Sequence, residues 1–181
     1  MSTLLLTLTG PQIEAIKPRI VEIYREAFTP PPYNKPEAEI AEFAQALTTQ
    51  FDRQGYKFVG AFEDETERLV GFAYGFACIP ERWWYQQVRP GLPEQITDTW
   101  LADSFNFVEI AVDPQFQGQG IGGRLHDHLL AGLPYPRAVL STLQADTIAQ
   151  RLYRRRGWVV LREDFLFPGV PRRYKIMGLE L

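Results

Sequence analysis

Residues 105–133 constrain this chain most: an apolar strand, a glycine-rich turn and a helix follow one another without a gap. The strand reads Phe105-Asn106-Phe107-Val108-Glu109-Ile110-Ala111-Val112 and is stopped by Asp113-Pro114, because proline lacks an N–H and biases its neighbour away from the α region. Four glycines, Gly118, Gly120, Gly122 and Gly123, then fall within six residues. In a helix interior each costs about 1 kcal/mol against alanine. In a turn they bare backbone N–H groups, since a missing Cβ lets an anion come close. A turn that also opens a helix adds the positive end of the helix dipole, and the combination suits a phosphate.

The spacing excludes two familiar phosphate loops. A dinucleotide fingerprint needs G-x-G-x-x-G with an acidic residue about 20 positions later, and a P-loop needs a following Gly-Lys-Ser/Thr. The stretch instead resembles the acyl-CoA signature of the Gcn5-related N-acetyltransferases, Gln/Arg-x-x-Gly-x-Gly/Ala. Gln117, Gly120 and Gly122 fill its defined positions, and Val112-Asp113-Pro114 matches the usual lead-in. A second element agrees: Ala149-x-x-Leu152-Tyr153-x-x-x-Gly157-Trp158 is similar to the family's Ala-x-x-Leu-Tyr-x-x-x-Gly-Phe.

That resemblance covers most of the chain and implies an α/β fold spanning residues 1–181 as one domain. Its central, mostly antiparallel mixed sheet is splayed between the fourth and fifth strands and flanked by helices. It implies acetyl-CoA as co-substrate and no metal. The pantetheine arm then runs along Ile110, Ala111 and Val112, and the pyrophosphate meets the N–H groups of Gln117, Gly118, Gln119, Gly120, Ile121 and Gly122. Asp146 and Ala149 fall on the cofactor side of the last helix. Asp146 departs from the family's frequent asparagine: it still caps a helix but cannot donate an amide hydrogen bond. Tyr153, by the same resemblance, reaches the thioester sulfur as general acid.

The base is read from the residues themselves. An alkyl ammonium with a pKa near ~10.4 must lose its proton before attacking, which costs roughly 4–5 kcal/mol at neutral pH. Strand alternation puts Glu109 on the face of Phe105, Phe107 and Ala111. A carboxylate there needs a role or a partner, so it is either the general base or one half of an ion pair with an arginine. His126 and His128, two apart on a helix, face different ways and are expected at the surface. No cluster suggests zinc or a nucleophilic triad.

Composition narrows the classes. A net charge of −3 supplies no basic excess for nucleic acid, and the arginines of 151–156 read as a solvated helix face. The single Cys78 allows no intrachain disulfide. No signal peptide or stretch of ~20 apolar residues is present, so a cytoplasmic, membrane-free protein is expected, as monomer or homodimer.

Along the chain, alternating Leu4, Leu6 and Leu8 predict a strand with those leucines buried. A helix follows from Pro11 with Ile13, Ile16, Ile20, Ile23 and Tyr24 inward, and Pro18 should kink or split it. Residues 28–36 are too proline-rich for regular structure; by the resemblance, Phe28 and Tyr33 border the acceptor. A second helix carries Ile40, Phe43, Leu47 and Phe51 and ends near Gly55. Strands are predicted over 56–62 and 69–79, with Gly71 and Gly75 marking bulges or close approaches. Residues 80–104 hold Trp83, Trp84 and Trp100, read as core or as acceptor walls, with a short helix over 93–102. Strand 137–143, helix 146–156, strand 158–162, a hydrophobic loop over 165–171 and strand 174–181 complete the order. The implied reaction is acetyl transfer to a primary amine, with a small-molecule acceptor first. A protein or peptide amine, or a non-catalytic acyl-CoA-binding module, is the alternative.

Overall fold

A computed structural model of the chain describes residues 2–181. Seven strands form one mixed sheet in the order β1-β2-β3-β4-β5-β7-β6. They are β1 (Thr3–Thr7), β2 (Lys57–Glu63), β3 (Leu69–Cys78), β4 (Ser104–Val112), β5 (Arg137–Leu143), β6 (Val159–Leu166) and β7 (Arg173–Glu180). The helices are α1 (Gly10–Phe28), α2 (Glu37–Leu47), α3 (Trp83–Val88), α4 (Glu94–Trp100), α5 (Ile121–Leu130) and α6 (Ile148–Arg155). Pairing is antiparallel for β1–β2, β2–β3, β5–β7 and β6–β7, and parallel for β4–β5. Contacts group the residues into two compact units, 2–75 with 109–131 and 76–108 with 132–181, and β3 and β4 each contribute to both.

In the first unit, Ile13, Ile20 and Ile23 of α1 and Ile40 and Leu47 of α2 are fully buried, as their spacing predicts. Aromatic rings link the layers: Tyr24 lies flat on Phe43 at 3.7 Å, Phe43 stacks on Phe72 at 6.0 Å, and Phe72 on Phe58 at 5.6 Å. Helix α1 is capped by a box in which the Thr9 N–H donates to Gln12 Oε1 at 2.9 Å. It runs unbroken through Pro18, contrary to the expected split. Pro18 and Glu14, whose carbonyl loses its helical donor, are both exposed, so the missing bond falls on the solvent side of the helix. Helix α2 stops at Leu47, before Phe51, because the Thr48 and Thr49 hydroxyls take the carbonyls of Gln45 and Ala46.

Strand β1 departs from the expected alternation. Leu4 and Leu6 are 52% and 41% exposed, while Thr3 and, just past the strand, the expected Leu8 are buried. Arg124 of α5 fixes this register by donating to both the hydroxyl and the carbonyl oxygen of Thr3. Gly71 marks a close approach: an added Cβ there would lie 3.1 Å from the Ala111 carbonyl oxygen.

The second unit has its own core of Cys78, Val88, Leu92, Leu101, Val139, Phe165, Phe167 and Ile176, against which Trp84 and Trp100 pack. Helix α3 was not legible in the sequence. The predicted hydrophobic loop begins later than expected, because Phe165 and Leu166 belong to β6, an irregular strand whose register against β7 shifts twice. The parallel ladder of β4 with β5 joins Ser104, Phe105 and Asn106 to Arg137, Ala138 and Val139.

Candidate active site

The glycine turn lies in the first unit. Gly118 and Gly120 have φ of +78° and +77°, a left-handed backbone that favours glycine, and a Cβ added at either meets nothing within 4 Å. Gly120 is the residue that opens α5. The open space and the free first-turn N–H groups fit an anionic ligand that approaches the backbone directly.

Both ends of the turn–helix segment that follows β4 are anchored. Asp113 is fully buried; its carboxylate accepts from Arg19 and from the Gln115 N–H at 2.9 Å, and stands 3.6 Å from Arg68. Arg19 also donates to the Leu69 carbonyl at 3.1 Å, so α1, β3 and the turn meet at one buried carboxylate. At the far end, Lys57 Nζ donates to the carbonyls of His128 and Ala131 at 2.9 and 2.8 Å. Those last-turn groups otherwise lack helical partners, and burial pulls the Lys57 pKa below its ordinary value. The Gln117 side-chain amide donates to the Val112 carbonyl at 3.0 Å, tying the turn to the end of β4.

Glu109 stands on β4 in the same unit, its side chain 20% exposed. Burial pushes its carboxyl above the usual carboxylate range, opposed by the charge of Lys35 and by the Ile110 N–H. Lys35 Nζ lies 4.0 Å from Glu109 Oε2 and donates to the Tyr24 hydroxyl. The ion-pair partner is thus a lysine rather than the arginine considered from sequence. The ammonium also sits 4.6 Å and 4.5 Å from the ring centroids of Tyr24 and Phe28, and Tyr33 meets Phe28 edge-on at 4.9 Å. Phe28 and Tyr33 therefore belong to the cluster around Glu109. On β3, the Tyr74 hydroxyl is raised well above its ordinary value by burial and then by the Glu109 charge.

In the second unit, Tyr153 is a buried residue of α6, edge-on to Phe107 at 6.2 Å and tilted against Trp158 at 5.6 Å. The two aromatics of the sequence motif thus pack on each other and on β4. Asp146 does not cap α6: the cap is Thr147, whose hydroxyl accepts from the Gln150 N–H at 3.0 Å. Asp146 pairs with Arg151 at 2.9 Å, and Ala149 is half-buried in the first turn of α6. Trp83 is 56% exposed and stacks on Phe167 at 5.4 Å, whereas Trp84 is half-buried and donates its indole N–H to Ser141 at 3.1 Å.

His126 corrects another expectation. It is buried, on the inner face of α5, with Nδ1 2.8 Å from an Asp127 carboxylate oxygen. Among the described residues, no group of three His, Cys, Asp or Glu could hold a metal ion, and no helix is long and apolar enough to cross a membrane. Sequence reasoning missed Lys35 and Arg19, because their carboxylate partners lie far along the chain. Phe28 and Tyr33, close to Lys35 in the sequence, are the local signal that could have marked it as a seated cation.

Comparison with known proteins accords with this geometry. The profile of the "Acetyltransferase (GNAT) domain" family matches residues 54–160. A GCN5-like protein acetyltransferase of Mycobacterium tuberculosis is 33% identical over 153 residues, covering 80% of this chain and 71% of that protein. Among solved structures, the ribosomal-protein-S18-alanine N-acetyltransferase from Escherichia coli has a TM-score of 0.65 at 18% identity, over 99% of this chain and 94% of that one. An N-acetyltransferase from Thermoplasma acidophilum, solved in complex with coenzyme A, has a TM-score of 0.65 at 16% identity, over the whole of both chains. These last two matches bear on the fold alone. Together with the profile and the mycobacterial relative, the glycine turn and the Tyr153 helix establish that this chain belongs to the GNAT family and is an N-acetyltransferase.

Proposed function

We propose that the enzyme transfers the acetyl group of acetyl-CoA to a primary amine by direct attack in a ternary complex. The observation that carries this reading is the turn at Gly118 and Gly120, whose left-handed backbone faces open space at the start of α5. The N–H groups from Gln117 to Gly122 receive the diphosphate. Ile110, Ala111 and Val112 run beside the pantetheine arm, on the strand that leads into the glycine turn. Ala149 borders the cofactor on α6. Asp146, already paired with Arg151, adds at most a peripheral contact.

Glu109, directly or through water, takes the proton of the attacking ammonium; its raised pKa suits a base working nearer neutrality. The amine nitrogen forms a bond to the acetyl carbon as the carbon–sulfur bond breaks. The Tyr153 hydroxyl gives its proton to the departing thiolate and regains one from the nitrogen as it becomes an amide, so CoA leaves as the thiol and the net proton stays with Glu109. No metal takes part. Phe28 and Tyr33 border the acceptor, and Trp83 and Trp84 are candidates for its outer wall.

In the first reading the acceptor is a small-molecule amine in the cytoplasm. The mycobacterial relative, named a protein acetyltransferase, favours a second reading in which a protein amine is acetylated. Calorimetry with CoA and acetyl-CoA tests the cofactor, and mass spectrometry of alkyl amines, amino acids and lysine-bearing peptides incubated with acetyl-CoA tests the acceptor. Absence of binding to either cofactor form overturns the proposal; binding without transfer leaves an acyl-CoA-binding module. Changing Glu109 to Gln or Tyr153 to Phe should each lower kcat about 100-fold with CoA affinity retained.

A further inference from the structure

The segment between α1 and α2 folds back on the end of α1 through its own backbone. The N–H groups of Tyr33 and Asn34 both donate to the Pro30 carbonyl at 3.2 Å, and the Lys35 N–H donates to the Phe28 carbonyl at 3.0 Å. Asn34 turns the chain at a φ of +48°. The result is a lysine whose side chain is only 16% exposed and whose ammonium rests against two aromatic faces, a phenol oxygen and a carboxylate. A cation held against ring faces is stabilised more strongly as it is desolvated. Tyr24 is itself braced by the parallel ring of Phe43, so Lys35 sits on a rigid seat.

We propose that Lys35 is a positioning residue for acetyl transfer: seated on Tyr24 and Phe28, its ammonium keeps the Glu109 carboxylate charged, and so able to accept a proton, at neutral pH. This rests on the reading of Glu109 as the base. The groups facing Glu109 are Lys35 from the loop, Tyr74 from β3 and the Ile110 N–H from its own strand. Tyr74 stays neutral across any working pH, because burial holds its hydroxyl protonated. Lys35 therefore supplies the positive charge that opposes desolvation. Without it the carboxyl would carry its own proton over more of the working range and could not take one from the amine.

The test uses the full chain with Lys35→Met, which keeps the aliphatic stem, Lys35→Gln as a second uncharged form, and Lys35→Arg. Carbon-13 NMR of the glutamate side-chain carboxyls, with Glu109 assigned from Glu109→Gln, reads the titration of Glu109 independently of turnover. The pH dependence of kcat/KM is measured alongside it, with acetyl-CoA and the fastest amine found. Removing the cation disfavours the carboxylate, so the Glu109 titration and the acid limb of kcat/KM both move up by about one pH unit. Below that limb the rate falls about tenfold, and Lys35→Arg restores most of it. A Glu109 titration unchanged in both uncharged variants overturns the proposal while leaving the base reading intact. A titration that moves without the rate limb overturns the base reading, and with it the part of Lys35 in transfer.

Discussion

Replacing Gly120 and Gly122 separately by alanine dissects the turn. Gly120 lies at φ +77° and ψ 1°, a conformation that costs a residue with a Cβ about 1–2 kcal/mol. No atom stands within 4 Å of the added methyl, so the whole penalty is conformational. Against a typical stability of about 5–15 kcal/mol, Gly120→Ala still folds, with Tm lowered by about 2–8 °C. Gly122 differs: its φ is not left-handed, and the new Cβ would meet Val112 Cγ2 at 3.8 Å, an ordinary contact. Inside the first turn of α5, Gly122→Ala gains about 0.5–1 kcal/mol from reduced backbone freedom in the unfolded chain. If the turn relaxes in Gly120→Ala and re-aims its donors, each 1.4 kcal/mol lost to CoA lowers affinity about tenfold. Chemical denaturation gives the stabilities and titration calorimetry the CoA affinities. The expected pattern is a weaker, less stable Gly120→Ala beside a CoA-competent, slightly stabilised Gly122→Ala. Parent-like stability and parent-like CoA binding in Gly120→Ala would refute the reasoning.

Three further outcomes can be checked by denaturation. Arg19→Met leaves the buried Asp113 carboxylate with Arg68 at 3.6 Å and costs about 3 kcal/mol, the low end for a broken buried pair; a loss under 1 kcal/mol would show the pair to be dispensable. Gly178→Ala drives a Cβ to 2.4 Å from the Trp100 ring and destabilises by about 1–3 kcal/mol, read as a lowered denaturation midpoint. Because burial raises the Glu109 pKa on folding, the native state holds its proton to higher pH than the unfolded chain, and stability falls as pH rises through that interval. Glu109→Gln is therefore more stable than the parent at pH 7, and the gain vanishes below about pH 4, near the ordinary carboxylate value; an equal gain at both pH values would contradict the assignment.

The parts of the chain that could be read in advance are those whose signals are local. The stripe of Ile13, Ile20 and Ile23, the stop at Asp113-Pro114 and the turn at Gly118 and Gly120 each follow from short-range geometry, and the structure has them where periodicity put them. Strand β1 failed for a physical reason. Alternation says that one face differs from the other, but Arg124, far along the chain, decides which face turns inward by binding Thr3. The cap of α6 failed because Asp146 and Thr147 are both good caps, and Arg151 draws the aspartate away. Glu109 was legible as a carboxylate in an apolar strand, yet its partner was not, since Lys35 reaches it only through the fold of the loop. Trp84 reads from sequence as either core or pocket wall, and the Ser141 hydroxyl that takes its indole N–H lies too far along the chain for any local pattern to name.

Lys57 has a consequence for how this enzyme should be handled at the bench. It quenches the electronegative tail of α5, so the positive pole at the other end of this helix, about 15 Å away, is the end that attracts a negative group. Inorganic phosphate and sulfate are small enough to visit that pole, so they should protect the purified enzyme during storage and compete with coenzyme A in assays. Affinities measured in a phosphate buffer will then understate those measured in a zwitterionic one.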